Sequence, residues 1–105
     1  MAVKNFNEIK WEKTNYGRRK TLITPQEGVN LTIRYVEVED TVRPHQHPNG
    51  EVLFVLEGEG KFHCKGKTIK IGEGSIIVIP PETIQHIERT SIKTLKMIAI
   101  FPGEP

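Results

Sequence analysis

Two runs in this chain of 105 residues, "VLFVL" at 52–56 and "IIVI" at 76–79, are apolar at every position. Successive side chains of an extended strand point to opposite faces. A strand with one face in water therefore alternates polar with apolar residues, and neither run does. Both faces of these strands should be covered. One cover is a barrel interior; the other is a second sheet, the N-terminal segment or a neighbouring subunit. The runs belong to a longer series that includes "NLTIRYVEVED", "KFHCKGK", "KTIKI" and "TLKMIAIF". Between them stand "PNG", "EGEG", "KGK", "GEG" and "PPE", where Gly, Pro and Asn supply turn conformations. Helix signals are scarce, and the pattern predicts an all-β sandwich or barrel.

The length suits one domain over residues 1–105, with a strand or arm in 1–20 and a barrel core in 28–101. A chain this short buries a modest share of its surface. Together with the doubly apolar strands, that predicts a homodimer. Fifteen basic and 13 acidic residues are interspersed, for a net charge of +2. The densest basic cluster, Arg18, Arg19 and Lys20, has no interleaved aromatics, so no nucleic-acid partner is expected. The single cysteine, Cys64, permits no intrachain disulfide. No segment approaches the roughly 18–20 apolar residues of a membrane span, and the N-terminus lacks an apolar leader core. The expectation is a soluble, cytoplasmic protein with no membrane partner.

The chemistry concentrates in "PHQHPNGE". His45 and His47 stand two apart, so an extended backbone projects both imidazoles to one side. Pro44 and Pro48 favour that extension in the residues before them. The Pro48-Asn49-Gly50 turn then brings Glu51, at the start of the next strand, back towards the histidines. Two imidazoles and a carboxylate suit a divalent transition metal better than Ca²⁺ or Mg²⁺, which prefer oxygen shells. Taken alone, paired histidines beside a turn are also a common exposed polar corner.

The wider pattern resembles the cupin superfamily of small β-barrels. Its first motif reads Gly, five residues, His-x-His, three or four residues, Glu, six residues, Gly. Here His45, His47, Glu51 and Gly58 fall at those spacings, while Glu39 replaces the leading Gly. The second motif reads Gly, five residues, Pro-x-Gly, two residues, His, three residues, Asn. Gly74 and Pro80 match it; Glu82 takes the Gly position, Gln85 the His position, and no Asn follows His86 at the motif's spacing. A one-residue bulge in "PPETIQH" would return His86 to the interior; without it, Gln85 faces inward. The resemblance implies a single-domain, jelly-roll-like double-stranded β-barrel, nearest in layout to small members of the pectin-degradation type. It also implies one divalent ion (Mn, Fe, Ni, Co or Zn) held by His45, His47, Glu51 and His86, with Gln85 as the alternative to His86.

Such an ion could polarise a carbonyl, acidify a bound water or support oxygenation. Three readings follow: an enzyme acting on a small sugar acid or keto/hydroxy acid by isomerisation, ring-opening hydrolysis or oxygenation; a non-catalytic sensing barrel with a structural metal; or a metal-free barrel. Arg34 and Tyr35 lie on opposite faces of one strand, and whichever points inward is a candidate for holding substrate; a guanidinium fork suits a carboxylate. His63 is a further substrate-binding candidate, although its strand pattern also suits the outer face. Cys64 and Met97 read as core, and Phe6 and Trp11 as anchors of an N-terminal arm.

Overall fold

The computed structural model describes residues 1–105. Ten strands pair antiparallel into two sheets. The larger contains, in spatial order, β1 (Glu12–Lys13), β2 (Gly17–Ile23), β3 (Leu31–Val38), β10 (Leu95–Pro102), β5 (Glu51–Glu57) and β8 (Ile76–Ile79). The smaller runs β4 (Thr41–His45), β9 (Gln85–Arg89), β6 (Gly60–Cys64), β7 (Lys67–Ile71). The chain is thus all-β and jelly-roll-like. No helix is long and apolar enough to cross a membrane.

Strict alternation sets the core. Leu95, Met97, Ala99 and Phe101 of β10 are buried, and so are Val36 and Val38 of β3 and Leu53 and Val55 of β5. Phe62 and Ile87 answer them from the smaller sheet. Apart from Ala99, each such side chain stabilises the fold by roughly 1.5–3 kcal/mol relative to exposure. β10 holds the larger sheet together, pairing with β3 from Leu95 to Pro102 and with β5 on its other edge.

The N-terminal segment covers the outer face of β2 and β3. Phe6 and Trp11 pack on Tyr35 at 5.1 and 5.9 Å between ring centroids. Lys20, almost fully buried, places its ammonium 4.0 Å from the Phe6 ring centroid and donates to the Phe6 carbonyl. That is a cation–π contact closed by a hydrogen bond.

The two doubly apolar runs are each covered once. Leu53, Val55, Ile77 and Ile79 face the core, but Ile76 and Val78 are 65% and 72% exposed and Phe54 is 40% exposed. The smaller sheet packs on the inner face only, and the arm lies over β2 and β3, so neither supplies the second cover. β8 is also a sheet edge, with β5 its sole neighbour.

Two turns position the site. Gly50 closes the β4–β5 turn at φ 76°, and a Cβ there would meet the Ile79 carbonyl oxygen at 2.6 Å. Only glycine satisfies both conditions. The turn before β9 runs through Glu82 at φ 56°, a left-handed conformation uncommon for a residue with a side chain. The Glu82 N–H donates to the His47 carbonyl at 2.9 Å, tying the two turns together.

Candidate metal centre

His45 ends β4, His47 follows one residue beyond Gln46, and Glu51 opens β5 across the turn. The two imidazoles lie edge to face, 4.8 Å between centroids. Their Nε2 atoms stand 3.9 Å (His45) and 3.6 Å (His47) from Glu51 Oε1. One ligand atom from each residue lies within 4.8 Å of the other two. The His45 ring is fixed from behind, because its Nδ1–H donates to the Arg43 carbonyl at 2.8 Å. That tautomer leaves the Nε2 lone pair facing the cluster, as metal ligation requires.

Gln85 completes the group. It is 1% exposed, and its amide nitrogen lies 3.0 Å from both Glu51 Oε1 and His45 Nε2. Its amide oxygen is buried without a partner. An unmet buried acceptor costs about 1–3 kcal/mol, and a cation beside it would satisfy it.

The electrostatics fit the same group. Burial pushes the Glu51 carboxyl up to about 7, against the opposing pull of Arg34. Burial, then His45, then Arg34 lower the His47 imidazole to about 4. The protein alone thus disfavours the carboxylate and keeps His47 neutral. A divalent ion reverses the penalty on the carboxylate and needs that neutral imidazole. Donor set, tautomer and orphaned acceptor all fit a transition metal. These residues line one side of a cavity of about 400 Å³ whose walls include Tyr16, Arg19, Arg34, Met97 and Phe101.

His86 lies outside this group. β9 pairs with β6 in unbroken register from Gly60↔Arg89 to Cys64↔Gln85, and its one irregularity, against β4 between Val42 and His45, leaves Gln85 opposite His45. Glu82 itself adopts the left-handed conformation that a glycine would supply, and the turn closes without an inserted residue. Alternation then buries Gln85 and Ile87 and turns His86 out, where its ring stacks on His63 at 4.2 Å.

His63 and Tyr35 do not line the cavity either. His63 sits on the outer face, with Nε2 2.8 Å from Glu88 and Nδ1 2.9 Å from Thr68 Oγ1. Tyr35 points under the N-terminal arm and donates to Glu37 at 2.8 Å; burial, then that bond, raises its phenol well above the usual range. Arg34 is the member of the pair that faces the cavity, and Cys64 packs against the core. The sequence reading passed over three wall residues. Phe101 was legible, since it shares the inward parity of Leu95, Met97 and Ala99. Arg19 and Tyr16 carried no such signal, lying in a basic run and a turn.

The Cupin_2 family of cupin domains matches residues 33–101, from the middle of β3 through Phe101 in β10. This chain belongs to the cupin family. Acireductone dioxygenase from Puccinia graminis f. sp. tritici is 24% identical over 111 residues, covering 99% of this cupin and 60% of that enzyme. The chain therefore spans about 60% of the length of that relative. The polyketide cyclase RemF from Streptomyces resistomycificus superposes with a TM-score of 0.83 at 22% identity, over 99% of this chain and 80% of that one. KdgF from Halomonas sp. gives 0.81 at 19% identity, over 98% and 96%. At these identities the structural likeness is one of fold, and chemistry must be argued from the site.

Proposed function

We propose that this cupin is a divalent-metal enzyme acting on a small oxygen-rich metabolite, such as a sugar acid or a keto or hydroxy acid. The observation that carries the reading is the convergence of His45, His47 and Glu51 on one point at the wall of a cavity. In this proposal those three side chains hold the ion, and the Gln85 amide N–H steadies Glu51 beside it. When bound, the ion supplies a Lewis acid beside the substrate. The chain's own residues do the rest. The Arg43 carbonyl fixes His45, the Gln85 amide holds Glu51, and the rings of His47 and Phe101, 4.7 Å apart, narrow the space left for water. Isomerisation, ring-opening hydrolysis and oxygenation all suit such a centre, and a dioxygenase among the relatives supports the last.

The test is elemental analysis of untagged protein, followed by product analysis on sugar acids and diketones with metal-loaded and metal-stripped samples. Bound metal near one equivalent, with turnover that disappears on stripping, is expected. Full turnover by the stripped protein overturns the proposal. A second reading, a non-catalytic sensing barrel, is favoured by the amide at Gln85, a weaker donor than imidazole; saturable binding without product would select it.

The open outer face of β5 and β8 supports a homodimer. Light scattering at micromolar concentration should then give twice the chain mass, and a monomeric mass would refute it.

A further inference from the structure

Arg34 lies mid-strand in β3 on the same face as Thr32 and Val36, and its side chain lines the cavity. Its Nε is buried without a hydrogen-bond partner, and no carboxylate of the chain pairs with it. Arg19 lines the same cavity from β2, where the register sets Arg19 opposite Val36 and Thr21 opposite Arg34. The two arginines are therefore diagonal cross-strand neighbours on one face. Glu12 accepts from Arg19 Nε at 3.0 Å, which leaves Arg34 with a like charge beside it and no anion of its own. Burial first, and then Arg19, disfavour its charged form, against weaker opposing pulls from Tyr16, Glu12 and Glu51. None of these groups hydrogen-bonds the half-buried guanidinium, whose Nε is left without a partner. A half-buried cation beside another cation favours an added anion, and the open Nε is where one from outside would bind.

The position of this vacant charge says which part of a ligand meets it. The Phe101 ring touches both ends of the cavity: Arg34 Cζ is 5.3 Å from its centroid and the His47 ring 4.7 Å. One aromatic ring separates the guanidinium from the His45–His47–Glu51 cluster. Glu51 already brings negative charge to the cluster end, whereas the arginine end has a deficit. The cavity, about 400 Å³, sits at the small end of the ~300–1,000 Å³ usual for small-molecule sites.

We infer that Arg34, supported by Arg19, is the carboxylate seat of this cavity, and that its ligand is a small hydroxy or keto acid whose neutral oxygens face His45, His47 and Glu51. The guanidinium fork takes both carboxylate oxygens and satisfies the orphaned Nε. The inference rests on the metal proposal only for what lies at the far end of the molecule; the arginine end stands without it.

The probes are gluconate and glycerate against their uncharged counterparts glucitol and glycerol, with metal-stripped and Zn²⁺-loaded protein. ¹⁵N NMR follows the Arg34 Nε–H, and titration gives Kd. The acids should move that resonance and bind at least tenfold more tightly than the alcohols, with or without zinc. Arg34→Gln should bring acid and alcohol to parity while zinc content stays at the wild-type level, and Arg34→Lys should keep part of the preference. Equal binding of acids and alcohols, or an Arg34 resonance unmoved by either acid up to 50-fold excess over protein, overturns the inference. The NMR arm needs no variant, so a folding defect in Arg34→Gln leaves it decisive. Loss of zinc binding with the acid preference intact would refute the metal proposal and leave this one standing.

Discussion

Two groups of two histidines and a glutamate sit on opposite faces of this small protein, and their fates differ. On the outer face of the smaller sheet, His63, His86 and Glu88 are cross-strand neighbours whose needs are met locally. His63 has a partner at each nitrogen and His86 stacks on its ring, with Glu88 open to water. Inside, His45, His47 and Glu51 converge with no hydrogen bond among them, beside a buried amide oxygen that has no partner. Residue type does not separate the groups. The burial of Glu51, against the open Glu88, and the unpartnered Gln85 oxygen do, because an unmet polar group in a low-dielectric site costs far more than the same group in water.

The largest effect that could break this contrast is loss of metal. His47→Ala should abolish bound metal, measured by elemental analysis, with the strand content unchanged by circular dichroism. His86→Ala should leave metal content at the wild-type level, and equal losses in the two variants would erase the distinction. Next comes Gln85→Ala, which removes the donor holding Glu51 and the amide oxygen; metal affinity should fall about 10–100-fold in competition titrations.

The two glutamates also answer pH in opposite senses. Burial raises Glu51 to about 7, so in metal-stripped protein its contribution to stability is complete below its unfolded value of 4.5 and is lost as pH rises through about 7. Glu88 is lowered, chiefly by its hydrogen bond to His63, so its contribution is present above 4.5 and is lost as pH falls through the depressed value. Denaturant melts from about pH 2 to 9 should show Glu51→Gln flattening the loss between 4.5 and about 7. Glu88→Gln should give the smallest change of the series, confined to the acid side, because that pair is exposed.

The first motif was legible because its two histidines and glutamate lie within one turn of chain, and Gly50 fixes the distance between them. The second was not. Choosing between Gln85 and His86 meant knowing whether the preceding turn inserts a residue, and that depended on Glu82 accepting a left-handed backbone, which no sequence pattern reports. Arg34 and Tyr35 were equally opaque. The outer face of β3 is buried beneath Phe6 and Trp11, so an aromatic residue suits that side as well as the core. The runs at 52–56 and 76–79 read as covered on both faces, whereas Phe54, Ile76 and Val78 on the outer face are exposed in the structure.

The hydrogen bond from the Glu82 N–H to the His47 carbonyl has a consequence for how the site can change. It ties the His47 turn to the turn before β9 through main-chain atoms, so among single substitutions only one that removes the N–H or moves the backbone, such as Glu82→Pro, breaks it. Replacing Gln85 therefore leaves His47 anchored, so position 85 is free to vary in chemistry while the paired histidines keep their place. A barrel built this way can change the side chain beside the cluster without rebuilding the His45–His47–Glu51 group.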